Sequence, residues 1–99
     1  MTPISFIKKN NNSNYLVSGD LTFATIDRST IEALTFNQKT IIVDFESVTL
    51  ADSAGLALLV EWHKKAKSKN ITLHFKNIPQ QIKALAVLVE VNDLIKNTH

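Results

Sequence analysis

The densest hydrophobic patterning in the chain runs from Ile41 to Ala66, read IIVDFESVTLADSAGLALLVEWHKKA. It opens on a continuous apolar run, Ile41-Ile42-Val43, closed by Asp44 and Phe45. That is the pattern of a strand buried on both faces, with a turn after it. From Ala54 to about Lys69 the period lengthens. At 100° steps Gly55, Leu59, Trp62 and Ala66 fall on one line, flanked by Leu56, Leu58 and His63, which predicts a helix with that line toward the core. Asp52 or Ser53 stands where the helix starts, because either side chain accepts a hydrogen bond from the unpaired amides of a first turn. Gly55 in that turn lets the backbone approach the sheet closely. A second line, Ser53, Ala57, Val60 and Lys64, forms a mixed, small-residue face at the edge of the apolar arc and is a candidate docking surface.

Elsewhere the pattern is weaker. Ile4 to Ile7 reads as a short strand, Asn10 to Asn14 as a hairpin loop, and Tyr15 to Ser18 as a second strand stopping at Gly19-Asp20. From Thr22 to Leu34 the period is helical, with Phe23, Ile26, Thr30, Ala33 and Leu34 near one face. Ser29-x-x-Glu32 has capping-box spacing and offers a later start, although an interior position for Ser29 is simpler. The central strand begins near Lys39. After a turn at Lys69-Asn70, Ile71 to Phe75 alternates as a strand, and Pro79 suits the first turn of a last helix with Ile82, Leu85, Ala86 and Val89 inward. Val87, Leu88 and Val91 widen that apolar arc; either Leu94-Ile95 folds back over them or they meet a second body. The order β-β-α-β-α-β-α predicts an α/β fold, a small mixed β-sheet with helices packed on it.

Ninety-nine residues give room for a single domain, 1–99, with one core. No apolar run reaches the ~18 residues a membrane span requires. The N-terminal MTPISFIKKNNN lacks the apolar core and cleavage site of a secretory signal, so the expected location is cytoplasmic. With no cysteine, disulfides, thiolate nucleophiles and cysteine metal sites are excluded. The net charge of +2 is carried largely by Lys64, Lys65, Lys67 and Lys69, a solvated helix face rather than a nucleic-acid surface.

Catalytic chemistry finds no foothold. His63, His74 and His99 lie on different elements without metal-ligand spacing, so no metal or cofactor is expected. Asp20, Asp44 and Asp52 fall near element ends, where carboxylates satisfy backbone groups. Gly19 and Gly55 are the only glycines, too few for a phosphate loop. Ser53 has neither the G-x-S-x-G elbow nor an evident base.

The segment Val43-Asp44-Phe45, then Val48, then Asp52-Ser53-Ala54-Gly55-Leu56 with Leu58-Leu59, resembles the signature of the STAS domain family. That family holds anti-sigma-factor antagonists and transporter regulatory domains. The continuation Ala57-Leu58-Leu59 is similar to its MlaB-like branch, the small cytoplasmic subunits of Mla phospholipid ABC transporters, which serve outer-membrane lipid asymmetry. The resemblance implies a non-enzymatic domain whose partner-binding surface is Asp52, Ser53, Ala54, Ala57, Val60 and Lys64, since in the family the hydroxyl after the aspartate lies on an exposed helix tip. It leaves two partners open: an MlaF-like ATPase subunit, which would hold the domain peripheral to the inner membrane, or an anti-sigma kinase that silences the domain by phosphorylating Ser53. Ala54, where antagonists commonly carry a second serine, favours the transporter; Ser53, where many MlaB-like proteins carry threonine, favours the antagonist. Neither implies nucleic-acid binding or direct membrane insertion.

Overall fold

Apolar residues at every second position build the sheet, and the computed structural model describes residues 1–9 and 13–88, with side-chain surroundings for 1–8 and 13–85. Four strands, β1 (Ser5–Lys9), β2 (Asn14–Leu21), β3 (Thr40–Ala51) and β4 (Thr72–Lys76), alternate with α1 (Arg28–Ile31), α2 (Ser53–Ser68) and α3 (Gln80–Leu88) in the expected order. The sheet runs β1-β2-β3-β4. The β1–β2 hairpin is antiparallel, and the two crossovers leave β3 parallel to β2 and β4 parallel to β3.

Tyr15, Val43 and Phe75 form one cross-strand row and are buried with Val17, Ile41 and Phe45 on a single face. Against that face pack Leu56, Leu58, Leu59 and Trp62 of α2, with Ile78 and Ile82. Trp62 is fully buried, edge-on to Phe6 at 6.1 Å and stacked on Phe45 at 6.5 Å. Its Nε1 donates to the Ile31 carbonyl at 2.9 Å and fastens α1 to α2. The predicted inward line of α2 is therefore the one the fold uses.

Four expectations are corrected. The central strand is not buried on both faces: Ile42 and Asp44 on its opposite side are only half-buried, beside the 50% exposed Ile7. Neither β2 nor β3 stops where the pattern weakens. β2 continues through Gly19, whose φ of +91° and contact with the Pro3 carbonyl leave no place for a Cβ. β3 runs on to Ala51 with two register shifts against β2, one between Leu16 and Ser18 and one between Gly19 and Asp20. These bulges break the alternation that marks a strand in sequence.

The fourth correction concerns the helix read over Thr22 to Leu34, which shrinks to Arg28–Ile31. Asp27 is its N-cap, accepting from the Thr30 amide at 3.1 Å, while Thr30 Oγ1 accepts from the Asp27 amide at 3.2 Å. Ser29 lies inside the helix and donates to Asp27 Oδ1 at 2.6 Å, the main reason that carboxyl is held below its usual range. Upstream, the Thr25 hydroxyl donates to the Asp20 carbonyl at 2.7 Å and accepts from the Thr22 amide at 3.1 Å. Such local hydroxyl bonds compete with helical ones, so Thr22–Thr25 is a turn.

Pro79 precedes the last helix and accepts from the Ile82 and Lys83 amides at 3.0 and 3.1 Å. Ile82 is buried and Leu85 half-buried, as its inward stripe requires. The readings of Asn10 to Asn12, of the side chains of Ala86, Val87 and Leu88, and of Val89, Val91, Leu94 and Ile95 lie outside the described residues.

Candidate docking site

The ends of β2 and β3 meet beneath the first turn of α2. The Leu21 carbonyl closes β2 by accepting from the Asp52 amide at 3.3 Å. Asp52 is extended, with φ −138° and ψ −166°, and caps α2. Its Oδ1 accepts from the Ala54 amide at 2.8 Å and its Oδ2 from the Phe23 amide at 3.1 Å. One carboxylate thus satisfies a helix end and tethers the neighbouring turn. Gly55 makes the approach close: a Cβ there would stand 3.0 Å from the Leu21 carbonyl oxygen and 2.9 Å from Ile82 Cδ1.

Ser53 is the first residue of α2. Its side chain is exposed, and its hydroxyl has no hydrogen-bond partner among the described residues. Along the same stripe Ala57 and Lys64 are exposed and Val60 is half-buried, while Ala54 and Asp52 are half-buried beside the tip. Of the six candidate residues, Ser53, Ala57, Val60 and Lys64 share one stripe of α2, and Ala54 and Asp52 stand beside its tip. Asp52 faces inward as a structural cap, so it shapes the surface more than it presents itself there.

A feature the periodicity misplaced belongs to the same end of the molecule. Phe23, expected on the inner face of a long helix, is 87% exposed, and Leu50 at the end of β3 is 57% exposed. Phe23, Ile26, Ile31, Ala54, Ala57, Leu58 and Glu61 enclose an open groove of about 280 Å³. The Thr22-x-x-Thr25 pair and Asp27 ahead of Thr30 were the available sequence signals that Phe23 sits in a turn.

The other acidic groups do structural work. Asp20, only 5% exposed, accepts from Thr49 Oγ1 at 2.6 Å and from the Thr2 amide at 3.0 Å. The Thr49 hydroxyl, more than the Thr2 amide, holds its carboxyl below the usual carboxylate range against the opposing effect of burial. Asp44 accepts from the Glu46 amide and from Asn77 Nδ2, each at 2.9 Å. Among the described residues no group of three or more His, Asp or Glu could hold a metal ion. The arrangement offers surface and shape, and among the described residues the Ser53 hydroxyl has no base in hydrogen-bond reach.

A family model described as "Mlab, STAS domain" matches residues 9–96. The chain belongs to the STAS domain family. Its fold is similar to the solved structure of the anti-sigma factor antagonist SpoIIAA in its unphosphorylated form, with a TM-score of 0.60 and 14% identity over 94% of this chain and 97% of that one. At that identity the likeness is one of fold. No curated protein matches the sequence. STAS domains are generally regulatory or accessory and act through protein–protein contact. Among the described residues no helix is long and apolar enough to cross a membrane.

Proposed function

We propose that this STAS domain is a non-enzymatic accessory subunit of an Mla-type phospholipid ABC transporter, held in the cytoplasm at the inner membrane by its partner. It docks on the MlaF-like ATPase through Ser53, Ala54, Ala57, Val60 and Lys64, with Asp52 fixing the tip, and it stabilises or activates the ATPase by binding one of its conformations better than another. The observation that carries this reading is Ser53: an exposed hydroxyl without an internal partner, heading a stripe of small side chains on a helix whose other face is committed to the core. Small residues let a second backbone come close, and the label of the matching family model supports the transporter.

A second reading has its own support. Ser53 stands at the first helical position, open to a kinase. A phosphate there would add about two negative charges, which a helix N-terminus tolerates but a close interface around a neutral hydroxyl does not. The domain would then be an anti-sigma-factor antagonist that keeps its fold and loses its partner on phosphorylation.

The test is co-purification of the chain with the MlaF-like ATPase and, separately, with an anti-sigma kinase from the same cell. A stable complex with the ATPase and none with the kinase supports the transporter reading. The reverse overturns it.

A further inference from the structure

The groove beside α2 carries the inference furthest, and it rests on the docking reading above. Phe23 is the most exposed large apolar side chain at this end of the molecule, at 87%, yet its backbone is not loose. The Phe23 amide is held by Asp52, and its turn is closed by the bonds from the Thr25 and Ile26 amides to the Thr22 carbonyl, both 3.0 Å. A fixed turn that exposes an aromatic ring is already ordered for contact and loses little freedom on binding. Exposed aromatic residues flanked by apolar surface mark interaction sites more often than chance allows.

Size and charge select the occupant. The groove's volume of about 280 Å³ lies below the ~300–1,000 Å³ usual for small-molecule pockets, and it is open, so it suits an inserted side chain better than a free ligand. Its lining is apolar except for Glu61, which is exposed and has no ion-pair partner among the described residues. Asp52, beside the groove, is taken up by two backbone amides, and Asp27, next to Ile26, caps α1. A cation on the incoming chain therefore complements the rim.

We infer that the groove of Phe23, Ile26, Ala57 and Leu58 receives an apolar side chain of the partner ATPase. The segment that carries it packs that side chain against Phe23 and places an arginine or lysine on Glu61. Phe23 is the apolar anchor and Glu61 the group that sets orientation.

The test titrates the purified MlaF-like ATPase with wild type, Phe23→Ser, Glu61→Lys and Ser53→Arg, each checked for folding by circular dichroism and urea midpoint. Phe23→Ser and Glu61→Lys are each expected to weaken binding at least about tenfold, as loss of an anchor or reversal of an interface charge does, with an unchanged urea midpoint because both side chains are exposed. If both bind within twofold of wild type while Ser53→Arg does not bind, the groove inference is overturned and the docking stripe stands. If all three bind as wild type does, or if wild type itself does not bind the ATPase, the docking reading falls and the groove inference with it. A wild-type dimer that Phe23→Ser turns into a monomer assigns the groove to a second copy of the chain and also overturns the inference.

Discussion

The Asp52 carboxylate accepts the Phe23 amide at 3.1 Å, and so joins the turn after β2 to the tip of α2 while its other oxygen caps the helix. Asp52→Ala removes both bonds. A lost N-cap costs about 0.5–2 kcal/mol, and the upper half of that range is expected here because the tether goes with it. Asp52→Asn keeps one good acceptor and should fall between. Urea denaturation gives the stability, and amide exchange at Phe23 should quicken in Asp52→Ala far more than exchange in β3.

Gly55 sets how near α2 lies to β2. Its replacement by alanine gains about 1 kcal/mol of helix propensity, but the added methyl meets Ile82 Cδ1 at 2.9 Å and the Leu21 carbonyl oxygen at 3.0 Å. Ile82 Cδ1 is the end of a side chain and gives way; the carbonyl is held by the Asp52 amide and does not. Overpacking of this kind costs about 1–3 kcal/mol, so Gly55→Ala is expected to be destabilising by up to about 2 kcal/mol in urea, and Gly55→Val by more.

Trp62 bridges α1 and the sheet. Trp62→Phe retains ring packing on Phe45 but strands the Ile31 carbonyl, which accepts from Nε1 at 2.9 Å. An unmatched buried acceptor costs about 1–3 kcal/mol, and the low end of that range is expected here because Ile31 is only half-buried. The variant should unfold at lower urea, with its earliest exchange at Ile31 and Glu32.

Asp20 makes stability depend on acid. Its folded-state carboxyl titrates below its ordinary value, chiefly because of the Thr49 hydroxyl. The unfolded value is about 3.9, so the contribution is complete above that pH and is lost as pH falls through the lower, folded-state value. Urea midpoints should therefore drop as pH falls from about 5 through the ordinary carboxylate value and below it. Thr49→Val removes the leading cause, lowering stability at neutral pH and flattening that acid dependence.

Much of this architecture was legible in the residues because burial wrote it with a clear period. Ile41, Val43 and Phe45 point to one side of β3, and Gly55, Leu59, Trp62 and Ala66 point to one side of α2, each set repeating as its element requires. The order of elements followed from the same signals, as did a cap at Asp52 or Ser53, which the bond from the Ala54 amide assigns to Asp52. What was hidden rests on bonds that periodicity does not record. Thr25 and Asp27 draw their neighbours into a turn and a one-turn helix, which moved Phe23 from the expected core to the surface. The bulges carry β3 past Phe45, where Glu46, Ser47 and Thr49 are all exposed. The half-open sheet was misread for a related reason: Ile42 is apolar but packs only partly, and an apolar run alone does not report what covers its second side.

The most direct test of Ser53 as the centre of a docking surface is the affinity of the purified MlaF-like ATPase for Ser53→Arg against wild type by titration calorimetry. Ser53 is exposed and unbonded, so the substitution should leave folding stability within about 0.5 kcal/mol. The charged side chain it introduces at a close interface should weaken binding at least about a hundredfold. A folded Ser53→Arg domain that binds the ATPase as tightly as wild type would contradict the account.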